Sequence, residues 1–417
     1  MDNITHSLGG LVLAEVILEV RSRIWRNERQ LPEWAFWLNS ILASNLPDLD
    51  VAYAGTLDFP IGYSLHHRGY THTLVVAPLL ALIPLIPLLF LKKRQRHQSV
   101  FRDGLLLYVL SFLGISLHIL MDFLNDYGVH PFWPFDNRWY YGDTLFIIEP
   151  FWWVGLSLSL IFNFPSKVRG LLAVPPFAGI TLSLLSGLVP PMGVAALLGC
   201  ALVMAWVSAL ASPFGRRKMA LAWLVGVPMV FGIAHGRALD RAHFLLSRAF
   251  PGEYIHDVAL RPAPANPFCW SGLAIQVKED LLIYRRFVLS LWPSVFEGKD
   301  CRIDRLFVPE SPWVRVNVHL DSAMHILAAS ETRVERLSAL FQSSCRANAF
   351  LRFSRAPLVV YQNGSPMLGD ARYFTGSSRP FWAFIDATPS ATCPQFSVEW
   401  SPPIQPLLVQ TPVPGMR

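Results

Sequence analysis

Charge is what this 417-residue sequence has little of: Asp, Glu, Lys and Arg make up 15% of it, where a soluble domain carries about 25%. The shortage is concentrated. No charged residue occurs in 69–91, 104–121, 150–166, 170–215 or 219–236. Roughly 20 apolar residues cross a bilayer, so these runs read as membrane spans and argue against a disordered chain or a cytosolic enzyme. Other absences exclude further classes. There is no Gly-rich phosphate loop, no nucleophile elbow and no dinucleotide fingerprint, which argues against ATP use and serine hydrolysis. The net charge of +6 is scattered in short groups rather than gathered in a stripe, so no nucleic-acid partner is expected. No Cys-x-x-Cys pair supports a zinc ribbon, and the N-terminus lacks the basic region and cleavage site of a removable signal peptide.

The basic residues that are present lie in loops between the apolar runs: Arg21, Arg23, Arg26 and Arg29; Lys92, Lys93, Arg94 and Arg96; Lys167 and Arg169; Arg216, Arg217 and Lys218. All four groups face the cytoplasm together if eight hydrophobic segments alternate, at 4–20, 33–47, 71–91, 103–123, 145–164, 170–188, 192–211 and 219–236. That arrangement leaves both termini outside. Glu15 and Glu19 interrupt the first segment and the second is short, so these two are either half-inserted or packed inside the bundle.

Beyond about residue 240 the texture changes. Pro262-Ala263-Pro264-Ala265-Asn266-Pro267 reads as an ordered linker, and the runs Trp313 to Val318 and Leu358 to Tyr361 have the alternation or β-branching of half-buried strands. One helix is expected near Glu331 to Phe341. The expected fold is therefore an α-helical polytopic membrane protein with a C-terminal β-rich extramembrane domain. Its parts are a helical membrane domain over 1–239, a β-rich soluble domain over 240–400 on the periplasmic side, and a Pro-rich mobile tail over 401–417. Four of five cysteines, Cys269, Cys301, Cys345 and Cys393, fall in the second part. An oxidising compartment allows two disulfides there in three pairings, and buried thiols are the other reading.

The chemistry is concentrated in the first 150 residues: His6; Asp48 and Asp50; His66, His67, Arg68 and His72; His118, Asp122 and Asp126. Such groups are costly in hydrocarbon and need partners. His118 and Asp122 share a helix face, and Asp126 continues the stripe if the helix persists. Alone, such a pair is more often a hydrogen-bonded structural contact than a metal site. In the topology set by the basic loops, however, every one of these groups falls at the outer membrane face. A His/Asp metal cluster between four helix ends accounts for that coincidence, and its hard oxygen and imidazole donors suit Zn, Mn or Fe, with room for more than one ion.

Four ordered motifs carry a family resemblance. Met1-Asp2-Asn3-Ile4-Thr5-His6-Ser7-Leu8-Gly9-Gly10, Leu46-Pro47-Asp48-Leu49-Asp50, His67-Arg68-Gly69-Tyr70-Thr71-His72, and His118-Ile119-Leu120-Met121-Asp122 followed by Tyr127-Gly128 resemble the YdjM-like family. That family is described as inner-membrane, predicted metal-dependent hydrolases, some of them under LexA control. The resemblance also implies a distant relation to the zinc phospholipase C and P1 nuclease group, although no His-x-x-x-Glu pair follows Asp122 here. Asn266-Pro267-Phe268-Cys269-Trp270 and Leu368-Gly369-Asp370-Ala371-Arg372-Tyr373 look like the C-terminal region of longer members.

Carried over position by position, the resemblance implies His6, Asp48, Asp50, His67, His72, His118 and Asp122 as metal ligands, with His66 and Asp126 as second choices. Arg68 is then the anion holder, or else an interfacial anchor. Thr5 and Thr71 orient the histidines that follow them or cap helices. Asp50 or Asp126 takes a proton from a metal-acidified water that attacks phosphorus or an acyl carbon. The aromatic loop from His130 to Asp143 is a lid or an aromatic belt, Asp136 and Asp143 are additional ligand candidates, and Trp152 and Trp153 are belt residues. The expected function is a metal-dependent hydrolase of a phosphoester or lipid-like substrate at the outer face of the inner membrane, with the lipid bilayer as its partner. The alternative is a transport, structural or partner-binding membrane protein whose His/Asp cluster is structural.

Overall fold

The structure, a computed structural model, describes residues 1–25, 31–87, 99–301, 303, 307, 312–374, 384–388, 393–394 and 398–408. The N-terminal part is built from α1 (Asn3–Ile24), α2 (Glu33–Asn45), α3 (Ser99–Phe123), α4 (Pro150–Leu160), α5 (Ser166–Leu185), α6 (Pro191–Leu210) and α7 (Pro213–Ala249). Among the described residues five helices are long and apolar enough to cross a membrane: α1, α3, α5, α6 and α7. The eight expected segments thus reduce to five. The second is a 13-residue helix, α2, between Pro32 and Pro47, and α4 with its following turn is also short. Of the third, 71–91, residues 88–91 lie outside the described residues, and over 71–87 the apolar chain forms short turns rather than one long helix. Pro78 and Pro84 each begin a short turn, at Ala77–Leu80 and Ile83–Leu85, where the missing N–H costs nothing. Arg26, Arg29, Lys92, Lys93, Arg94 and Arg96 lie outside the described residues.

The N-terminal helix is capped by Asp2, whose carboxylate accepts the Thr5 N–H at 2.9 Å. Its Glu15 faces the bundle and has partners: Trp37 Nε1 at 3.0 Å, Asn163 Nδ2 at 2.9 Å and Arg217 Nε at 3.0 Å all donate to its carboxylate. A buried charge in a span is tolerable only when paired in this way. α2 approaches α1 so closely that a Cβ at Gly10 would stand 2.4 Å from Ser44 Oγ and 2.9 Å from the Ser40 carbonyl oxygen.

At 37 residues and about 1.5 Å rise per residue, α7 is about 55 Å long, well beyond the roughly 30 Å of a bilayer core. The expected boundary at 239 therefore falls inside a continuous helix. Its distal part, through Ala238, Ala242 and Leu246, packs on Leu260, Trp270 and Phe287.

The C-terminal region is β-rich and extramembrane, with two open sheets. One has the antiparallel order β1 (Tyr254–Ala263), β2 (Asn266–Lys278), β3 (Leu281–Ser290), β5 (Met324–Arg333), β4 (Val314–His319). The other is β6 (Pro357–Gln362), β7 (Ser365–Asp370), β8 (Phe384–Asp386). The Pro-rich stretch expected as a linker is instead the β1–β2 turn, with Ala263 paired to Asn266 and Ala265 at φ +52°. The expected helix is α8 (Val334–Ser343), and Glu331 belongs to β5. α9 (Cys345–Leu351) follows. The disulfides are Cys269–Cys301 and Cys345–Cys393, and Cys200 is free.

The two regions share one core. Ile61, Leu65, Tyr127 and Trp139 from the membrane half pack with Phe350, Phe353, Trp400 and Ile404. Residues 401–408 are thus not a mobile tail, since Ile404, Leu407 and Leu408 are buried; 409–417 lie outside the described residues. The aromatic loop is tied to the β-rich region at His130 and Trp139, while Phe132 and Phe135 stay exposed. Trp139 Nε1 donates to the Arg352 carbonyl at 2.6 Å, and His130 stacks on Trp400 at 3.9 Å. Trp152 and Trp153 are likewise buried among helices, with Trp153 Nε1 donating to Thr5 Oγ1 at 2.9 Å.

Candidate metal centre

Four segments meet at one end of the bundle. α1 brings His6 in its first turn, and the C-terminal end of α3 brings His118 and Asp122. The Pro47–Asp50 turn after α2 brings the two aspartates, and the 66–72 loop brings His67, Arg68 and His72. Asp48, His72, His118 and Asp122 each offer a donor atom within 4.8 Å of the others, and so do Asp48, Asp50 and His67.

The first group has the dimensions of a coordination shell. His72 Nε2 lies 3.1 Å from His118 Nε2, 3.5 Å from Asp48 Oδ1 and 3.2 Å from Asp122 Oδ2. His118 Nε2 lies 3.5 Å from Asp48 Oδ1 and 3.4 Å from Asp122 Oδ2. A tetrahedral site with ligand bonds of about 2.0–2.1 Å has donor-to-donor edges of about 3.3 Å. Two imidazole nitrogens facing each other between two carboxylates therefore fit a divalent cation by spacing and by chemistry.

The ring orientations have their own supports. His118 Nδ1 lies 2.7 Å from the Ser44 carbonyl oxygen, and His72 Nδ1 lies 3.2 Å from Asp50 Oδ2 and 3.1 Å from Thr71 Oγ1. In each ring the δ nitrogen is held and the ε nitrogen is turned inward, as outer-shell partners of metal-ligating histidines require. Asp50 accepts from the Arg68 backbone N–H and from Thr71 Oγ1, each at 2.9 Å, and faces His67 Nδ1 at 2.9 Å. With His72 this makes four contacts, three at Oδ2 and one at Oδ1. Burial opposes ionisation of both aspartates. Hydrogen bonds from His118 and His72 outweigh it at Asp48, and those from His67 and His72 at Asp50, so both carboxyls stay well below the usual carboxylate range.

The remaining sequence-expected residues are placed as follows. His6 is fully buried, stacked on His118 at 3.7 Å, with Nε2 3.4 Å from Asp122 Oδ1, beside the first group rather than within it. Thr5 Oγ1 turns away from His6 to Asp2 at 2.5 Å. His66 packs edge-on against Tyr53 at 6.1 Å. Arg68 is buried, so the interfacial-anchor reading is incorrect. At φ +62° its side chain turns inward, placing Nε 3.1 Å from Asp122 Oδ2, Nη1 2.8 Å from Asn125 Oδ1 and its guanidinium over Tyr127. Asp126 lies outside both groups because α3 ends at Phe123 and the stripe stops with it. It lines a small cavity with Ser271 and Arg286, and its carbonyl accepts from Arg372 at 2.6 Å. Asp136 pairs with Arg138 and Asp143 with Arg355, so neither joins the centre.

Three contributors were not anticipated: the Ser44 carbonyl, Asn125, and the Met1 amino nitrogen, which contacts Asp122 Oδ1. Asn125 sits between two residues already singled out and was legible in principle; the other two are backbone groups with no side-chain signature.

Fold and centre together define a polytopic helical membrane protein with a buried His/Asp cluster able to hold metal. Residues 1–189 match the family described as YdjM inner membrane protein, the family to which the four motifs point. The match ends between α5 and α6 and leaves out α6, α7 and both sheets. Comparison with curated proteins and with solved structures returned no match.

Proposed function

We propose that the protein is a metal-dependent hydrolase of the inner membrane that cleaves phosphoesters, soluble or lipid-borne, at the outer face, with the β-rich region on that side. The observation that carries this reading is the set of five donor distances between 3.1 and 3.5 Å around one point. Zinc fits this donor set best, with Mn or Fe as the other suitable ions. A bound divalent ion would polarise a phosphoryl oxygen and acidify a water.

Asp48, His72, His118 and Asp122 would hold the ion, with Asp50 and His67 available to a second. Arg68 supplies a fixed cation beside Asp122 for charge developing on phosphate oxygens. In the hydrolysis a water oxygen bonds to phosphorus, the ester P–O bond breaks, and the water's proton passes by way of a base to the leaving alkoxide. With a single ion bound, Asp50, which holds His67, Thr71, His72 and the Arg68 backbone N–H, suits an orienting role. His67, whose Nδ1 is held by Asp50, is better placed to take the proton at Nε2.

Elemental analysis of the purified protein tests the reading, beside Asp122→Ala, His118→Ala and Asp126→Ala variants of matched folding. Stoichiometric metal in the wild type and in Asp126→Ala, lost from the other two, is the expected result, together with release of phosphate or alcohol from phosphoesters. A fully loaded protein that turns over no phosphoester would assign the cluster a structural role.

A further inference from the structure

The ligand groups differ in how they meet the surroundings. The side chains of His6, His72, His118 and Asp122 have no accessible surface, whereas Asp48 keeps 14% and His67 12%. The centre therefore opens where Asp48 and His67 stand.

The rim of that opening is apolar. Leu49, between the two aspartates, is 63% exposed, and Val51 is 42% exposed. Tyr63 stacks on His67 with ring centroids 5.0 Å apart. Leu74 and Val75, just beyond His72, are exposed as well and begin the proline-broken apolar stretch. From Leu46 to Leu91 the charged residues are Asp48, Asp50, Asp58 and Arg68. Three of them belong to the centre, and Asp58 is paired with Arg346 of the β-rich region at 2.9 Å. A mouth used by a soluble phosphate ester would need a solvated, charged border. Exposed aliphatic side chains with tyrosine suit the bilayer's interfacial layer instead.

The β-rich region closes the other approach. Trp400 donates to the Leu65 carbonyl at 2.9 Å and packs on Tyr70, while Phe353 packs on Tyr127, which in turn lies edge-on to His67.

We infer that the centre is reached laterally from the membrane interface, and that its ligand is a phosphate-bearing amphiphile. The head passes between Leu49 and Tyr63 to Asp48 and His67, while the hydrocarbon chain stays in the bilayer along Val51, Leu74 and Val75. The phosphate head rests on the hydrolase reading; the lateral opening does not.

The test uses the full chain with Cys200→Ser and Leu49→Cys, labelled at position 49 with a bimane fluorophore and reconstituted in phosphatidylcholine nanodiscs. Val51→Cys is the second label site, and Glu279→Cys, in the exposed β2–β3 turn, is the aqueous control. Nitroxide-labelled phosphatidylcholine should quench the fluorophore at 49 or 51 at least fivefold more than at 279, with aqueous iodide showing the reverse order. Iodide quenching at 49 and 51 equal to that at 279 overturns the inference. A second arm compares metal-loaded protein on micellar phosphatidic acid and on soluble p-nitrophenyl phosphate. Turnover at least tenfold faster on the lipid is expected. Equal or faster turnover of the soluble ester overturns the amphiphile and leaves the hydrolase standing. Lipid quenching with no turnover of either substrate keeps the lateral opening and removes the phosphoester reading.

Discussion

The backbone carbonyl of Ser44, in the last turn of α2, accepts the Nδ1 proton of His118 on α3 at 2.7 Å. This bond fixes the imidazole tautomer and turns Nε2 toward Asp48, His72 and Asp122. Ser44 is itself placed by the close approach of α2 to Gly10. Replacing Gly10 by Val would push a side chain into Ser44 and the Ser40 carbonyl and so move a residue that orients a ligand without touching any ligand. The expected outcome for Gly10→Val is a metal affinity about 10–100-fold weaker, read by competition with a chelator.

Arg68→Lys keeps the charge but loses the fork that spans Asp122 and Asn125. A point charge cannot replace a planar bidentate donor. We expect the variant to retain metal, to lose about 10²–10³-fold in phosphoester turnover, and to bind vanadate more weakly in an inhibition assay.

Arg355 stands between Asp143 of the aromatic loop, at 2.7 Å, and Asp257 of β1, at 2.6 Å. Methionine there leaves the Asp143 carboxylate buried without its cation, which costs about 3–5 kcal/mol when one partner of a buried pair is removed. Arg355→Met should lower the unfolding temperature in detergent and speed proteolytic release of the β-rich region. Adding Asp143→Asn should recover part of the loss.

His130 is sandwiched between Trp139 and Trp400, and burial pushes its pKa down to about 3. An unfolded chain takes up a proton near pH 6.5 that the folded chain refuses, so the stability this site contributes is lost as pH falls below 6.5. At about 1.4 kcal/mol per pH unit the loss is roughly 2 kcal/mol between pH 6.5 and 5. Denaturant titrations of His130→Phe, which keeps the ring, should show an acid sensitivity smaller by that amount over the same range.

What the sequence made legible follows from what each signal measures. Absence of charge located α3, α5 and α6 to within a few residues, because hydrocarbon tolerates few alternatives. Over 71–87 it gives no single helix, since hydropathy counts apolar atoms and takes no account of Pro78 and Pro84, which begin separate short turns. The His and Asp residues stood out because they are costly where they lie. Asp126 was misjudged through a helical spacing that needs the helix to continue past Phe123, where it stops. Arg372 bonds the Asp126 carbonyl across 246 residues, and no local pattern encodes such a contact. The motif from Leu368 to Tyr373 was visible as a motif. Its structural part is a latch: Asp370 gathers Ser354 and Arg372, and Arg372 reaches back to the membrane half.

The Trp400 indole and the Leu65 carbonyl are separated by 335 residues. During synthesis the helices carrying the histidines and aspartates are in the membrane long before Trp400 leaves the ribosome. The cover on that side of the cluster therefore depends on residues made late in synthesis, and a chain ending before Trp400 would carry the whole His/Asp set without it.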